Sequence, residues 1–218
     1  MLDGPRIAPT SGKADALVVF LHGYGADGND LIDLGRVWAP QLPGTAFASP
    51  HAPYPCDELP SGRQWFPLAL GFDRFAGAAA AVAPELDRFL DAELARYGLA
   101  GNRLALVGFS QGTMMALYVG PRRMHPIAGI VGYSGLLLDP ERIVVEKRQT
   151  PPILLVHGDA DEMIPVMALP AAANGLGKAG FEVEWHMRPG LGHGIDPEGL
   201  ELGGAFLTRV LGKGTPRP

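Results

Sequence analysis

Arg103-Leu104-Ala105-Leu106-Val107-Gly108-Phe109-Ser110-Gln111-Gly112-Thr113 is the stretch on which the reading of this chain turns. An apolar run from Arg103 to Phe109 reads as a buried strand, and Gln111 to Arg122 reads as a helix. Between them lies a glycine-x-serine-x-glycine sequence with one residue to make the turn. Such a turn forces strained dihedrals on Ser110. Gly108 and Gly112 lack β-carbons, so backbone can pack closely on both sides of it. The helix N-terminus then faces the serine hydroxyl with its partial positive charge. A serine in that setting is a candidate nucleophile.

Outward from this turn, the same alternation recurs. Ala16-Leu17-Val18-Val19-Phe20-Leu21 is a continuous apolar run ending at His22-Gly23, and helical spacing of Leu31, Leu34 and Val37 follows over 27–38. Thr45 to Ser49 reads as a short strand. Residues 50–71 form a Pro- and Gly-rich irregular stretch containing Trp65-Phe66; loops of that length are commonly functional. Apolar residues from Phe75 to Tyr97 recur every three or four positions and predict a long helix over 72–97. Strands are predicted at 127–133, 152–157 and 181–187, with helices at 165–178 and 197–211. This order implies an α/β protein with a mostly parallel sheet covered by helices on both faces. Ligands in such sheets bind beyond the carboxyl ends of the strands.

The bulk properties exclude several classes. A chain of 218 residues, 47% hydrophobic and 19% charged, is too apolar for disorder and fits one domain over 1–218. A net charge of −5, with no basic run longer than a pair such as Arg122-Arg123, gives no reason to expect nucleic acid. The lone Cys56 precludes an internal disulfide. The first 15 residues hold Asp3 and no apolar run, so they are not read as a signal peptide. No segment nears the 18 or so apolar residues of a membrane span. A soluble cytoplasmic protein without stable membrane insertion is the expectation.

A serine hydroxyl needs a base, and on this pattern the chain order is serine, acid, histidine. Of the four histidines after Ser110, His125 follows a helix, His157 ends a strand beside Gly158, and His186 alternates within a strand. His193, in Pro189-Gly190-Leu191-Gly192-His193-Gly194 between the last strand and last helix, is the expected base. For the acid, His157-Gly158-Asp159-Ala160-Asp161-Glu162 offers three carboxylates. Asp161 is preferred as the one far enough into the turn to reach His193. Asp159 suits closing the turn through backbone amides, and Glu162 suits solvent. An oxyanion needs two or more donors. The Gln111 amide is one, and the early loop Leu21-His22-Gly23-Tyr24-Gly25 supplies another, best at the Tyr24 amide.

These motifs together resemble the phospholipase/carboxylesterase family of small α/β-hydrolases, which includes acyl-protein thioesterases and bacterial carboxylesterases. The resemblance runs through Leu21–Asn29, Pro50-His51-Ala52-Pro53, Trp65-Phe66, Gly108–Gly112, His157–Asp161 and Gly192-His193, in family order across nearly the whole chain. It implies the α/β-hydrolase fold, a Ser110–Asp161–His193 triad, oxyanion donors at Tyr24 and Gln111, and neither metal nor cofactor. Homodimer formation is implied by the resemblance alone. The family's thioesterases carry Leu where Tyr24 stands here, a departure that reshapes the acyl pocket and leaves the amide in place. Trp65, Phe66, Leu68, Leu70, Ile164 and Leu191 are the expected acyl-pocket wall. With no insertion large enough for a lid, soluble short- to medium-chain esters are the expected small-molecule substrates. Thioesters and lysophospholipids are the nearest alternatives, and a non-catalytic ligand receptor is the alternative from another class.

Overall fold

A computed structural model describes residues 1–212. Its main sheet is built from β1 (Arg6–Ile7), β2 (Ala16–Leu21), β3 (Thr45–Ala48), β6 (Leu104–Phe109), β7 (Gly129–Tyr133), β8 (Ile153–Gly158) and β9 (Val183–Arg188), in the order β1-β3-β2-β6-β7-β8-β9. Only β1 runs antiparallel to its neighbour. A separate two-stranded hairpin, β4 (Tyr54–Pro55) with β5 (Arg63–Gln64), lies in the Pro- and Gly-rich stretch.

The continuous apolar runs are explained by burial on both faces of the sheet. In β2 all six residues are buried: Leu17, Val19 and Leu21 point into one apolar cluster and Ala16, Val18 and Phe20 into the other. The first cluster is closed by α2 (Phe72–Tyr97), α3 (Gln111–Val119), α4 (Pro140–Glu146) and α5 (Ala168–Lys178). The second is closed by α1 (Gly28–Trp38) and α6 (Pro197–Leu211), through Trp38, Phe206 and Leu207. The N-caps of both these latter helices are aspartates. Asp27 accepts from the Asn29 amide and Asp196 from the Gly199 amide.

The α/β architecture with helices on both faces is as the sequence predicts, and the helices at 72–97 and 197–211 have the expected bounds. The helix expected over 111–122 ends at Val119 and continues as a 3-10 turn over Gly120–Arg122, since Pro121 has no amide hydrogen to extend the ladder. Expected starts at Pro165 and Phe181 move to Ala168 and Val183. Short elements were not foreseen: β1, the β4–β5 hairpin and α4 are each too brief for a periodic signal. Among the described residues no helix is long and apolar enough to cross a membrane.

Candidate active site

Four strand ends converge on one cavity. Register places Leu21 of β2 opposite Gly108 of β6, so the loop after β2 lies beside the turn after β6. Ser110 occupies that turn with φ 54° and ψ −116°, a conformation L-residues rarely adopt. It persists because both sides are packed. A β-carbon at Gly108 would meet the Gly112 and Thr113 backbone, and one at Gly112 would run into the Leu21 carbonyl. The Ser110 amide is spent on the Tyr133 carbonyl at 2.9 Å. Ser110 then caps α3, whose nine residues are all buried.

After β8, Asp161 turns back so that its Oδ1 accepts from the amides of Met163 and Ile164, each at 2.9 Å. Its Oδ2 lies 2.8 Å from Nδ1 of His193. Burial alone would raise this carboxyl, but the Ile164 and Met163 amides and the His193 imidazole outweigh it and hold Asp161 below the ordinary range. The acid is therefore ionised and accepts from His193 Nδ1–H, which leaves Nε2 free to act as a base. The loop carrying His193 closes tightly over β8: a β-carbon on Gly158 would strike the Leu191 carbonyl. Phe109 packs its ring 4.9 Å from the imidazole. Asp159 instead accepts from the Gly190 amide at 2.6 Å, closing the turn.

Two amides are left over at the cavity. Among the described residues neither the Tyr24 nor the Gln111 backbone N–H donates to a protein acceptor. A trans peptide points its carbonyl and the next N–H in opposite directions. The Gly23 carbonyl is held from behind by His22 Nδ1 at 2.8 Å and by the Ala26 amide at 3.3 Å, so the Tyr24 N–H is turned the other way. The Ser110 carbonyl likewise accepts from Met114 down the helix, which directs the Gln111 N–H back toward the serine. His22 is fixed as the Nδ1–H tautomer, because its Nε2 accepts from the Ala52 amide at 3.0 Å. Burial lowers its pKa to about 4 and keeps it neutral.

The cavity has a volume of about 280 Å³, and Ser110, His193, Tyr24 and Gln111 all line it. Of the expected wall, Leu68 and Ile164 also line it. The other four residues do not, and each has a structural reason. Trp65 is fully buried behind the β2 loop, donating its indole N–H to the His22 carbonyl at 2.9 Å. Phe66 is buried and packs 5.0 Å from Phe75. Leu70 packs on the core beside α2. Leu191 contributes backbone, its carbonyl accepting from Ala160. The apolar wall is completed by Phe72, Phe75, Met114 and Met163, which sequence reasoning missed. Phe75 enters the sequence reading only as part of the helical periodicity over 72–97; its place in the first turn of a helix that begins beside the site is the available signal.

One further residue acts beyond its expected role. The Gln111 side chain, almost fully buried, accepts from the Trp65 amide at 2.8 Å and donates to the Phe66 carbonyl at 2.7 Å. It ties the hairpin segment to the serine turn. Among the described residues no group of three or more His, Cys, Asp or Glu forms a metal site.

The chain has clear relatives. A family model described as phospholipase/carboxylesterase matches residues 2–211. The crystal structure of esterase PE8 is 44% identical, covers 96% of this chain and 99% of its own, and superposes with a TM-score of 0.92. Acyl-protein thioesterase 1 of Gibberella zeae is 28% identical, with 95% of each chain covered. The Bacillus cereus carboxylesterase, 18% identical over 96% of this chain and 95% of its own, shares the fold at a TM-score of 0.78. Fold, site placement and a family match spanning the chain together make this protein a carboxylic ester hydrolase that belongs to the phospholipase/carboxylesterase family.

Proposed function

We propose that the chain is a serine carboxylesterase acting on soluble short- to medium-chain esters through an acyl-enzyme on Ser110. The observation that carries this reading is the placement of Ser110, strained at the head of α3, in one cavity with His193, whose Nδ1 is held by the ionised Asp161. Ser110 Oγ attacks the ester carbonyl as His193 Nε2 takes its proton. The Tyr24 and Gln111 amides receive the oxyanion, already oriented before charge develops, which is where most of the rate enhancement of such sites arises. His193 then protonates the leaving alcohol. Water enters, gives its proton to His193 and releases the acid from Ser110.

The wall of Phe72, Phe75, Leu68, Met114, Met163 and Ile164 suits an unbranched apolar acyl group. Several thioester hydrolases are among the relatives, and the same groups would cleave an acyl thioester, so thioesterase activity is the second reading. The protein acts from the cytoplasm and needs no cofactor on this reading. Rates on p-nitrophenyl esters of increasing chain length, beside matched acyl thioesters, test it. Hydrolysis should peak at short to medium chains and vanish in Ser110→Ala and His193→Ala. Undiminished hydrolysis by Ser110→Ala would sink the mechanism, and a large preference for thioesters would favour the second reading.

A further inference from the structure

His157, at the end of β8, is 1% exposed and lies outside the three residues of the proposed reaction. Its Nε2 sits 2.9 Å from the Ile164 carbonyl and 3.2 Å from Oδ2 of Asp161. Both neighbours are acceptors only, since Asp161 is held ionised and a carbonyl has no proton to give. Nε2 must therefore carry the hydrogen, which it donates to the Ile164 carbonyl, with the Asp161 carboxylate close beside the same nitrogen. Asp161 Oδ2 thus pairs with His193 Nδ1 and has His157 Nε2 within 3.2 Å, while Oδ1 is occupied by two amides.

We infer that His157 is a positioning residue for the base: bonded to the Ile164 carbonyl, with Nε2 3.2 Å from Asp161 Oδ2, it steadies the Asp161 carboxylate and limits how strongly that carboxylate stabilises the His193 imidazolium. This rests on the proposed serine mechanism. The surroundings leave Asp161 as the charged partner. The elements packed against His157 contribute Thr113 and Leu117 from α3, Gly135 after β7, and Leu169 and Ala172 from α5. None is titratable, and the Thr113 hydroxyl is spent on the Tyr133 carbonyl at 2.8 Å. His193 is reached through Asp161 itself, 2.8 Å from its Oδ2.

Removing this N–H leaves more negative potential at the Asp161 carboxylate, which favours the protonated His193 imidazole. The acidic limb of the pH profile of kcat/KM should then move upward in His157→Leu, by roughly half a unit to one unit, with kcat reduced about tenfold and KM nearly unchanged. His157→Gln can place an amide N–H where Nε2 lies, and should return the limb toward its wild-type position. Both variants are measured beside Ser110→Ala. Residual hydrolysis by Ser110→Ala would overturn the serine reading and this inference with it. An inactive Ser110→Ala beside a His157→Leu limb that does not move would overturn the inference alone, as would equal losses in Leu and Gln with the limb unmoved. Should the variants fail to fold, 15N-histidine NMR of the wild-type protein decides. The Nε2–H tautomer at His157 near neutral pH is expected, and the Nδ1–H tautomer overturns the assignment.

Discussion

Replacing Gln111 by Met keeps the chain length and the backbone amide but removes both polar side-chain atoms. The Trp65 N–H then loses its acceptor and the Phe66 carbonyl loses its donor. Both sit in a region where Gln111, Trp65 and Phe66 are each buried to within 1% of full burial, so water cannot replace the lost partners without opening the segment. A buried backbone group left unsatisfied costs about 1–3 kcal/mol, and two of them give about 2–6 kcal/mol. The added apolar contact of Met offsets a small part. A central value of about 4 kcal/mol is a large fraction of the ~5–15 kcal/mol that holds a typical domain together.

Urea unfolding at constant m measures this directly, and thermal unfolding gives a second reading. For a chain of this size about 4 kcal/mol corresponds to roughly 8–16 °C in Tm. Gln111→Glu should be worse, because it retains an acceptor for Trp65 but sets a carboxylate against the Phe66 carbonyl in a buried site. The effect extends to catalysis, since Trp65 braces the His22 carbonyl and with it the loop that aims the Tyr24 amide. Hydrolysis should therefore fall even though the Gln111 amide is intact. A Gln111→Met protein within about 1 kcal/mol of wild type would refute the reasoning, for it would mean the two backbone groups find other partners at little cost.

Two further outcomes follow from the hydrogen bonds of the site. Asp161→Asn should lower kcat by about four orders of magnitude, because an amide N–H in place of Oδ2 selects the wrong His193 tautomer. Asp159→Asn keeps an oxygen for the Gly190 amide and should stay within about threefold of wild type; a greater loss from the Asp159 change would reassign the acid. His22 supplies a pH signature of stability. Burial lowers its folded pKa to about 4, below the ~6.5 of an unfolded imidazole, so the unfolded state binds the extra proton. Its contribution is fully present above pH ~6.5 and is lost as pH falls toward 4, amounting to about 2 kcal/mol between neutral pH and pH ~5. Urea midpoints across that interval should show the loss in wild type and a flatter profile in His22→Gln. Identical slopes would remove His22 as the cause.

How much of this was legible depended on whether the signal was local. The strands from Ala16, Leu104 and Ile153 announced themselves because a strand buried on both faces must be apolar at every position, and that pattern cannot be hidden by context. Ser110 and His193 were readable for a related reason: a tight turn after a strand constrains its own sequence, most visibly in the glycines on either side of Ser110. The Asp161–His193 pairing was chosen among three carboxylates on reach alone, and it is reach that the geometry bears on, with Asp159 committed to Gly190. The acyl wall was legible only in part. Trp65 and Phe66 looked like binding residues because they are aromatic in a polar loop. Whether such a pair faces a cavity or turns its back on one is decided by where the hairpin docks, and the docking is set by Gln111, some 45 residues further along. A side chain bonded across that separation leaves no trace in either local sequence.

The residues that escaped sequence reasoning share a property. His22, Gln111 and His157 are buried polar side chains, each bonding one or two backbone groups, and each standing directly behind a group that would act on substrate. Burial makes such bonds strong and their loss expensive. An amide that must meet a developing oxyanion cannot wait to be oriented by it, because reorganisation at that moment would cancel the stabilisation it provides. The Tyr24 N–H is aimed by what holds the Gly23 carbonyl, and the Asp161 carboxylate by what surrounds its two oxygens. On this view the strain at Ser110 and the neutrality of His22 serve one end: each polar group at the cavity is fixed before an ester arrives, by partners the ester never touches.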